Sequence, residues 1–507
     1  MNRIYIVIVS LILTAVSLTA QEQPTKYSLR LDEVVELAKT QSPMAIQARH
    51  QLRAAYFSFI SYKANFLPKL TLTTQPTSWD KSIRTVESVR KDADGNDVLV
   101  TTESKTNTFT STAGLALSQN IGLTGGKVSL GSDFSRKQNF LAENSDFSTQ
   151  YTTNPIRLSL TQQLNGYNQL RWDKKIEPLA FEEAKQRYIV SLEEVSSRAV
   201  NMFFILAEAQ VQLNIAETNL KNTEELYRIT TGRYNQGTVA EDDLLRVELR
   251  HMNASSGLSK AKVQIASALN RLRSFLGFRD NVEIELLIVP EIPSFKVEYE
   301  EALELALNRN PDILAYQQQL LEAERRAAFA KSQTGITMQL DATFGANKTG
   351  YTFKDGYSPK YDDREGISLQ INIPILDWNQ TRNRYRQQQS NLEVTQAQVQ
   401  QSETNFRQNV FLEVMSFNLQ EDQLRIAAKS DTIANKSYEI SYQRYIAGKG
   451  TITDLNLADT AKDEAKIGYI GALSRFWTLY YSVRQYTLFD FQNKKPLEED
   501  FDAIIGE

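Results

Sequence analysis

The sequence predicts a mainly α-helical fold with added β-strands, in which long coiled-coil hairpins form a helical barrel and groups of strands form part of a β-barrel. Three observations predict it. Residues 179–231 and 375–447 contain neither Gly nor Pro, so each can hold a helix far longer than globular domains usually contain. Apolar residues in both intervals recur with the three-four spacing of a coiled-coil seam. The regions that precede them alternate apolar and polar residues, as strands with unlike faces do.

The composition excludes several classes of protein. The 61 acidic and 57 basic residues give a formal net charge of -4, so there is no basic surplus to neutralise nucleic-acid phosphates. Cysteine is absent and the histidines are His50 and His251, which leaves no thiolate or imidazole cluster for a metal. The sequence contains no nucleophile elbow or phosphate-binding glycine loop. We therefore predict a protein that is not an enzyme and binds no cofactor, metal or nucleic acid.

The first twenty residues have the layout of a secretory signal peptide. A positive start at Met1–Arg3 precedes the apolar run Ile4–Leu18, and cleavage after Ala20 or Ser17 fits the small residues there. The alternative is an N-terminal membrane anchor. Beyond this segment no apolar stretch reaches the roughly 20 residues of a transmembrane helix. The mature chain is therefore expected to be exported, and to be either soluble or inserted in a membrane through strands.

The coiled-coil seam occurs twice, at a constant offset in residue number. The second copy contains Val399, Phe406, Val410, Val414, Phe417, Leu424 and Ala427. The first, in the same register, contains Tyr188, Val195, Ala199, Phe203, Leu206, Leu213 and Ala216. Matched spacing over this length indicates an internal duplication. We predict two repeats, residues 21–290 and 291–490, followed by a polar C-terminal tail at 491–507.

Each repeat is predicted to contain strands followed by a helical hairpin. These lie at about 68–165 and 167–277 in the first repeat, and at about 336–375 and 378–489 in the second. Matching residues of the two repeats differ more in residue number before the strands than within the hairpins, so the strand region of the first repeat contains 57 additional residues. Alternating apolar and polar residues in this longer region allow four strands, whereas the second repeat has two. The additional residues either add membrane strands or form a periplasmic or surface elaboration. Three polar stretches are predicted loops: 77–107, 139–153 and 345–363.

A sheet of four to six strands cannot close on itself in a membrane, because single-chain barrels need roughly eight strands or more. An open edge would leave backbone hydrogen-bonding groups unpaired in hydrocarbon. Copies of the chain must then supply the missing strands. The same ring would bury the apolar seams of the long helices against one another.

Two duplicated motifs resemble those of the TolC-like outer-membrane efflux proteins. Arg-Tyr-x-x-Gly followed by Asp-Leu occurs at Arg233–Leu244 and Arg444–Leu455, and Leu-Ala before Asn/Ser-Pro occurs at Leu37–Pro43 and Leu305–Pro311. The resemblance covers nearly the whole mature chain. It implies a homotrimer in outer-membrane lipid, with a shared transmembrane β-barrel and a periplasmic α-barrel. It also implies a passive exit duct of a tripartite efflux or type I secretion system, docked to an inner-membrane transporter through a periplasmic adaptor, or membrane fusion protein.

The resemblance places a gate and a docking surface at the periplasmic tip. The docking turns are Gly237, Thr238 and Val239 in the first hairpin, and Gly448, Lys449 and Gly450 in the second. The gate residues are Asp454, Asp243 and Tyr445. Three copies of Asp454 around a narrow entrance would favour cations. The simpler alternative is that both aspartates only offset the dipole of their helices, which is worth about 0.3–1 kcal/mol.

The alternative function is that of a structural periplasmic coiled-coil protein or an adaptor. An adaptor is expected to have one helical hairpin flanked by β-domains, whereas two hairpins are predicted, each preceded by its own strands. The transported substrate and the pump class have no signature in the sequence.

Overall fold

The computed structural model describes residues 25–91, 94–140, 147–278, 282–287, 295–447 and 449–506. The predicted signal peptide, residues 1–20, lies outside these ranges. The chain divides into two compact units. The first combines the residues up to Ala54 with Glu183–Ile313 and those from Ser402 onward. The second combines Ala55–Glu182 with Leu314–Gln401.

Eight of the described helices form four pairs of equal length. The shorter pairs are α1 (Leu31–Gln41) with α5 (Tyr299–Arg309), of 11 residues each, and α2 (Pro43–Ala64) with α6 (Pro311–Ser332), of 22 each. The longer pairs are α3 (Gln169–Asn235) with α8 (Gln380–Ile446), of 67 residues each, and α4 (Glu241–Leu276) with α9 (Ile452–Thr487), of 36 each. A helix of this greatest length spans about 100 Å. Two shorter helices are α7 (Phe353–Gly356) and α10 (Phe501–Gly506).

The predicted seams lie in the buried faces of α3 and α8. Burial is complete or nearly so for Tyr188, Val195, Ala199, Phe203 and Leu206 of α3, and for Val399, Phe406, Val410, Val414, Phe417 and Leu424 of α8. The outermost members of the two seams are half-buried: Leu213, Ala216 and Ala427. Phe203 and Phe417 belong to one continuous core cluster. Because burying a Phe side chain stabilises by about 1.5–3 kcal/mol, these seams stabilise the packing of the two long helices.

Glu193 of α3 is a buried carboxylate that joins three helices of the first unit. One oxygen lies 2.8 Å from Arg484 Nε of α9, and the other accepts a 2.9 Å hydrogen bond from Lys39 Nζ of α1. Arg484 Nη1 also donates to Asp490 at 3.2 Å, and the Tyr480 hydroxyl donates to the same carboxylate at 2.6 Å. Burial alone would lower the pKa of Arg484, but Glu193 and its neighbours raise it above its ordinary value. The guanidinium therefore stays charged.

A short parallel pair joins the start of the first unit to the segment after α4. Strand β1 (Thr25–Leu29) pairs with β6 (Val282–Leu286), with Leu29 opposite Leu286. Both of these leucines are buried in the core. The pair therefore fixes the chain on either side of the first repeat's helices.

The second unit contains one six-stranded antiparallel sheet. Its strands, in spatial order, are β2 (Lys69–Lys91), β3 (Asp97–Ile121), β4 (Gly126–Phe140), β5 (Phe147–Gln163), β7 (Thr337–Gly350) and β8 (Asp362–Asn372). Four strands therefore come from the first predicted repeat and two from the second, as the alternation predicts. The edge strands β2 and β8 each have one side without a neighbouring strand in this sheet.

The prediction of a loop at 77–107 is wrong. These residues continue β2 and β3 as a long hairpin, paired from Ser78 opposite Thr110 to Lys91 opposite Asp97. Polar residues on both faces resemble a loop, but Thr and Val favour extended backbone and cross-strand pairs stabilise it.

The other two predicted loops are also partly structured. Within 139–153, β4 continues to Phe140 and β5 begins at Phe147, while residues 141–146 lie outside the described ranges. Within 345–363, β7 continues to Gly350 and the short helix α7 follows. Thr352 caps α7 in a reciprocal arrangement with Asp355, and this local capping organises a stretch that lacks any apolar period.

Residues 491–507, expected to form a polar tail, contact the first unit at several points. Strands β9 (Phe489–Asp490) and β10 (Lys495–Pro496) form a small hairpin that leaves Phe491 buried. Arg53 Nε donates to the carbonyl of Ile504 at 3.0 Å. Lys185 Nζ lies 5.6 Å from the centre of the Phe501 ring. These apolar and backbone contacts fix the segment despite its acidic residues.

Candidate functional site

The turn between α3 and α4 closes through a glycine in left-handed backbone. Gly237 has φ of +70°. Its N–H donates to the Tyr234 carbonyl at 2.8 Å, and the Thr238 N–H donates to the Arg233 carbonyl at 2.9 Å. This pair of bonds is the Schellman arrangement that ends helices at Gly. Gly237 and Thr238 are exposed and Val239 is half-buried, so the predicted docking residues form a compact, accessible tip.

The turn between α8 and α9 repeats part of this geometry. The Lys449 N–H donates to the Arg444 carbonyl at 2.9 Å, the same separation along the chain as the bond from Thr238. Gly448 lies outside the described residues. A Cβ on Gly450 would come within 3.4 Å of the Tyr445 backbone nitrogen. The backbone is therefore packed closely at this turn, and Lys449 is exposed beside it.

Asp454 acts as a capping residue of α9. Its backbone N–H donates to Thr451 Oγ1 at 3.1 Å, and its carboxylate accepts a 2.7 Å bond from the same hydroxyl. Together with a 3.3 Å bond from the Thr451 N–H, this is a capping box. Asp243 lies in the exposed first turn of α4, whose N-cap residue Ala240 makes no side-chain cap. The two predicted gate aspartates therefore differ in local structure.

Acid is expected to weaken this cap. Hydrogen bonds from Thr451 hold the pKa of Asp454 below its ordinary value of 3.8. A carboxylate with a lowered folded-state pKa stabilises the fold above its unfolded pKa, and this stabilisation is lost as the pH falls through the folded value. We expect Thr451→Ala to raise the midpoint pH of acid unfolding, followed by circular dichroism between about pH 5 and pH 2.

The matched control for this titration is Thr238→Ala. The Thr238 hydroxyl donates to the Arg233 carbonyl at 2.9 Å rather than to a carboxylate. This control should leave the acid midpoint unchanged. An identical midpoint in wild type and Thr451→Ala would contradict a role for the capping box in acid sensitivity.

Tyr445 belongs to a small apolar cluster shared by the four long helices. Leu226 of α3, Val247 of α4 and Leu455 of α9 are its buried centre. Partly buried side chains from α3, α8 and α9 pack against them, namely Tyr227, Tyr438, Tyr442, Tyr445 and Ile452. This cluster brings the two hairpins together close to both turns.

A layer of partly buried charges around the buried Asp459 lies next to this cluster, and it was not predicted from the sequence. Arg250 Nη2 of α4 donates to Asp459 Oδ2 of α9 at 2.6 Å, and Lys462 Nζ donates to the other carboxylate oxygen at 2.8 Å. Lys462 Nζ also lies 3.9 Å from the centre of the Tyr438 ring of α8. Burial alone would lower the pKa of Lys462, but Asp459 raises it above its ordinary value. Lys462 therefore remains charged.

Helix α3 joins the same layer through two asparagines. Asn219 Nδ2 donates to Asp463 Oδ2 at 2.9 Å, and Asn222 Nδ2 donates to the Tyr438 hydroxyl at 3.1 Å. Burial raises the pKa of Asp463. A signal for this layer exists in the sequence, because Leu455, Asp459 and Lys462 share one helical face. Charges on an apolar stripe indicate a paired polar layer.

The sheet of the second unit has one apolar and one polar face. Leu130 of β4 lies opposite Leu158 of β5, and Leu158 lies opposite Phe344 of β7. On β8, Ile367 and Leu369 continue the apolar face, with exposed fractions of 71% and 50%. Exposed apolar surface of this extent marks an interaction with lipid or with other chains.

The opposite face carries small and polar residues in hydrogen-bonded ladders. Thr161 Oγ1 donates to Asp341 Oδ1 at 2.9 Å. Asn154 Nδ2 donates to Asp133 at 2.6 Å, and Arg157 pairs with the same carboxylate at 2.9 Å. A sheet that is apolar on one side and polar on the other fits a wall between hydrocarbon and water.

Two wider features of the described residues bear on membrane and metal binding. By length and composition alone, α3 is apolar enough to cross a membrane, and its most apolar stretch is 39% buried. The same helix supplies Phe203 to the core. Across the ranges described above, no cluster of three or more His, Asp or Glu residues could hold a metal ion.

A family model for outer membrane efflux proteins matches residues 127–278 and 302–477 of the chain. The two matched segments cover more than half of the 507 residues. The chain belongs to the outer membrane efflux protein family. No curated protein sequence matches it.

Solved outer-membrane channels share the fold of this family member. It is similar to the CmeC channel of Campylobacter jejuni, with a TM-score of 0.64 and 14% identity over 94% of this chain and 88% of that one. It is also similar to VceC of Vibrio cholerae, with a TM-score of 0.56 and 14% identity over 92% and 97%. For the open state of MtrE from Neisseria gonorrhoeae the TM-score is 0.58, again with 14% identity, over 93% and 91%.

Family membership confirms several predictions made from the sequence. The protein is an outer-membrane efflux channel that extends into the periplasm, and it is not an enzyme. The resemblance to TolC-like proteins is likewise confirmed. The described residues of both predicted turns, Tyr445 and the start of α9 belong to the first unit. The charge layer around Asp459 lies between the same four helices.

Proposed function

We propose that three copies of this efflux channel form one conduit, with a shared transmembrane β-barrel and a periplasmic helical tunnel. The observation that carries this proposal is the open sheet, which is apolar on one face and whose edge strands β2 and β8 each lack a neighbour on one side among the described residues. Six strands are too few for a single-chain barrel of roughly eight or more strands. Unpaired edges are costly in hydrocarbon, so neighbouring copies would complete the wall.

The paired helix lengths support the proposal that the chain is an internal twofold repeat. The first residues of α1 and α5 differ in number by the same offset as those of α2 and α6. The first residues of α3 and α8 likewise share a single offset with those of α4 and α9. Three copies of a chain with two hairpins would present six hairpins around a tunnel.

We further propose that the conduit serves a tripartite efflux or type I secretion system. The exposed tip residues Gly237, Thr238 and Lys449 would dock a periplasmic adaptor, which links the channel to an inner-membrane transporter. Asp454, Asp243 and Tyr445 would line or support the closed entrance, with Asp454 also capping α9. A structural coiled-coil protein, the alternative function, does not explain the apolar sheet face.

Docking is tested by one glycine substitution at the tip. Gly237→Ala places a Cβ in left-handed backbone, which costs about 1–2 kcal/mol and distorts the turn, although no atom obstructs the Cβ itself. We expect heat-resistant trimers to persist in outer-membrane extracts while efflux, measured as cellular resistance to a transported compound, falls. Loss of trimers in wild-type extracts would contradict the shared barrel.

The matched control is Gly232→Ala, which makes the same chemical change within α3. No atom lies within 4 Å of a Cβ at Gly232, so helix propensity predicts a gain of about 0.5–1 kcal/mol. Efflux by this variant should equal that of wild type. Equal efflux by both variants would exclude a docking role for the Gly237 turn.

A further inference from the structure

The hairpin of β2 and β3 continues the apolar face of the sheet without interruption. Leu70 of β2 lies opposite Leu117 of β3, and Leu117 lies opposite Leu130 of β4. From Leu130 the same row passes to Leu158 and Phe344. Residues directly opposite one another on neighbouring strands project to the same face. One apolar row therefore crosses five strands, and β2 and β3 belong to it.

Exposure of the hairpin's leucines matches that of the far edge of the sheet. Leu70 and Leu72 of β2 are 63% and 69% exposed, compared with 71% for Ile367 of β8. The opposite face of the hairpin carries Thr71, Thr73, Ala116 and Ser118, which are polar or small. The hairpin is therefore apolar on one face and polar on the other, as are β4, β5, β7 and β8.

The height of this apolar face fits a membrane. Along β3, the residues of this face from Leu117 to Phe109 span about 27 Å at a strand rise of ~3.4 Å per residue, close to the ~25 Å apolar band of outer-membrane barrels. Ser111 is the polar residue of this run, and its hydroxyl donates to the Pro76 carbonyl at 2.7 Å. Trp79 lies opposite Phe109 at the far end, 66% exposed, and its Nε1 donates to Asn107 Oδ1 at 2.6 Å. An indole at the end of an apolar band is typical of the membrane interface.

The two edges of the sheet have compatible directions. Neighbouring strands are antiparallel throughout the order from β2 to β8, so these two edge strands run in opposite directions. Edge β8 of one copy can therefore pair antiparallel with edge β2 of the next. The same arrangement repeats around a ring and leaves no edge open.

We infer that the β2–β3 hairpin is part of the membrane wall, and that each copy contributes six strands to it. The inference rests on the proposed shared barrel and adds the identity of its edges. Three copies would line a wall of eighteen strands, six from each. Barrels of roughly 16–18 strands enclose an open aqueous channel, so the outer-membrane exit is wide enough for large solutes.

Single cysteines test this inference cleanly, because the chain has none of its own. On β2, Leu72→Cys and Thr71→Cys sample the two faces; on β8, Leu369→Cys and Ser368→Cys do the same. Each full-length variant carries a small fluorophore and is reconstituted in vesicles with and without brominated phospholipid. We expect lipid to quench the label at Leu72 several-fold more strongly than the label at Thr71, and iodide to show the reverse order.

The β8 pair separates failure of the inference from failure of the proposed function. If lipid quenches Leu369→Cys and iodide quenches Ser368→Cys more strongly, but the two β2 labels do not differ, the hairpin lies outside the wall. The inference is then overturned, while the channel remains. If the labels of neither strand differ in their quenching, the shared barrel is contradicted as well.

Disulfide formation between copies provides a second, independent measurement. A chain with Thr73→Cys and one of Gly366→Cys, Ser368→Cys or Gln370→Cys should yield covalent oligomers on oxidation. Four strands separate β2 from β8 within one copy, so such a link must join two copies. The comparison chain carries Ser129→Cys of β4 with the same β8 cysteines. If this chain forms covalent oligomers and the chain with Thr73→Cys of β2 forms none, the inference is overturned.

Discussion

Replacing Glu193 by Gln is expected to lower the free energy of unfolding by about 3–5 kcal/mol, the usual cost of removing one partner of a buried ion pair. Arg484 is 10% exposed at its side chain and Glu193 only 1%. The substitution leaves the guanidinium with Asp490 as its remaining carboxylate partner. Lys39, at 21% exposure, loses its partner too but can reach water. The loss therefore comes mainly from the poorly solvated charge of Arg484.

The measurement is chemical denaturation of the detergent-solubilised protein, followed by circular dichroism at constant protein concentration. Glu194→Gln is the matched control, because Glu194 is adjacent in sequence and pairs with Arg198 on the surface at 47% and 57% exposure. Such exposed pairs contribute about 0–1 kcal/mol. If both variants unfolded at the same denaturant concentration, the network around Glu193 would not be a principal source of stability.

Arg250→Ala is expected to increase the resting current through the channel. The proposed gate residue Asp454 lies on α9, and Arg250 of α4 is joined to this helix by its 2.6 Å bond to Asp459. Widening of the entrance by movement of α9 away from α4 would break this bond. A hydrogen bond between charged groups contributes about 1.5–3 kcal/mol. Since each ~1.4 kcal/mol is a factor of ten, the ratio of closed to open channels should fall roughly ten- to hundredfold.

Single-channel recording in planar bilayers measures this ratio directly. Arg246→Ala is the matched control, since Arg246 lies one turn earlier on α4 and pairs with Asp242 within the same helix at 66% and 71% exposure. The control should behave as wild type. A resting current that is unchanged in Arg250→Ala would show that the α4–α9 bond does not hold the entrance closed.

Much of the helical architecture follows from local sequence. The seams around Phe203 and Phe417 were predicted from three-four spacing, and both residues are buried. The two offsets found between the duplicated motifs are also the offsets between the paired helices. The two tip turns were likewise predicted, since Gly237 adopts the positive φ that favours glycine.

The strands were harder to predict where both faces are polar. In the β2–β3 hairpin beyond Trp79, alternation weakens, and the loop prediction failed because pairing between strands, rather than burial, holds the segment. Of the site residues, Asp454 has the capping geometry that was the simpler alternative. Asp459 and Lys462 share a face with Leu455, but Arg250, the partner of Asp459 on α4, could not be identified from spacing.

The sequence by itself determined the periodic features: helix lengths, seams, strand alternation and the recurrence of both halves. Each depends on neighbours within one or two turns, or on identical patterns along the chain. Only the tertiary structure decided which distant charges meet, as with Glu193 and Arg484, 291 residues apart, and the order in which six strands pair. Those outcomes depend on close packing between remote segments, which no local period encodes.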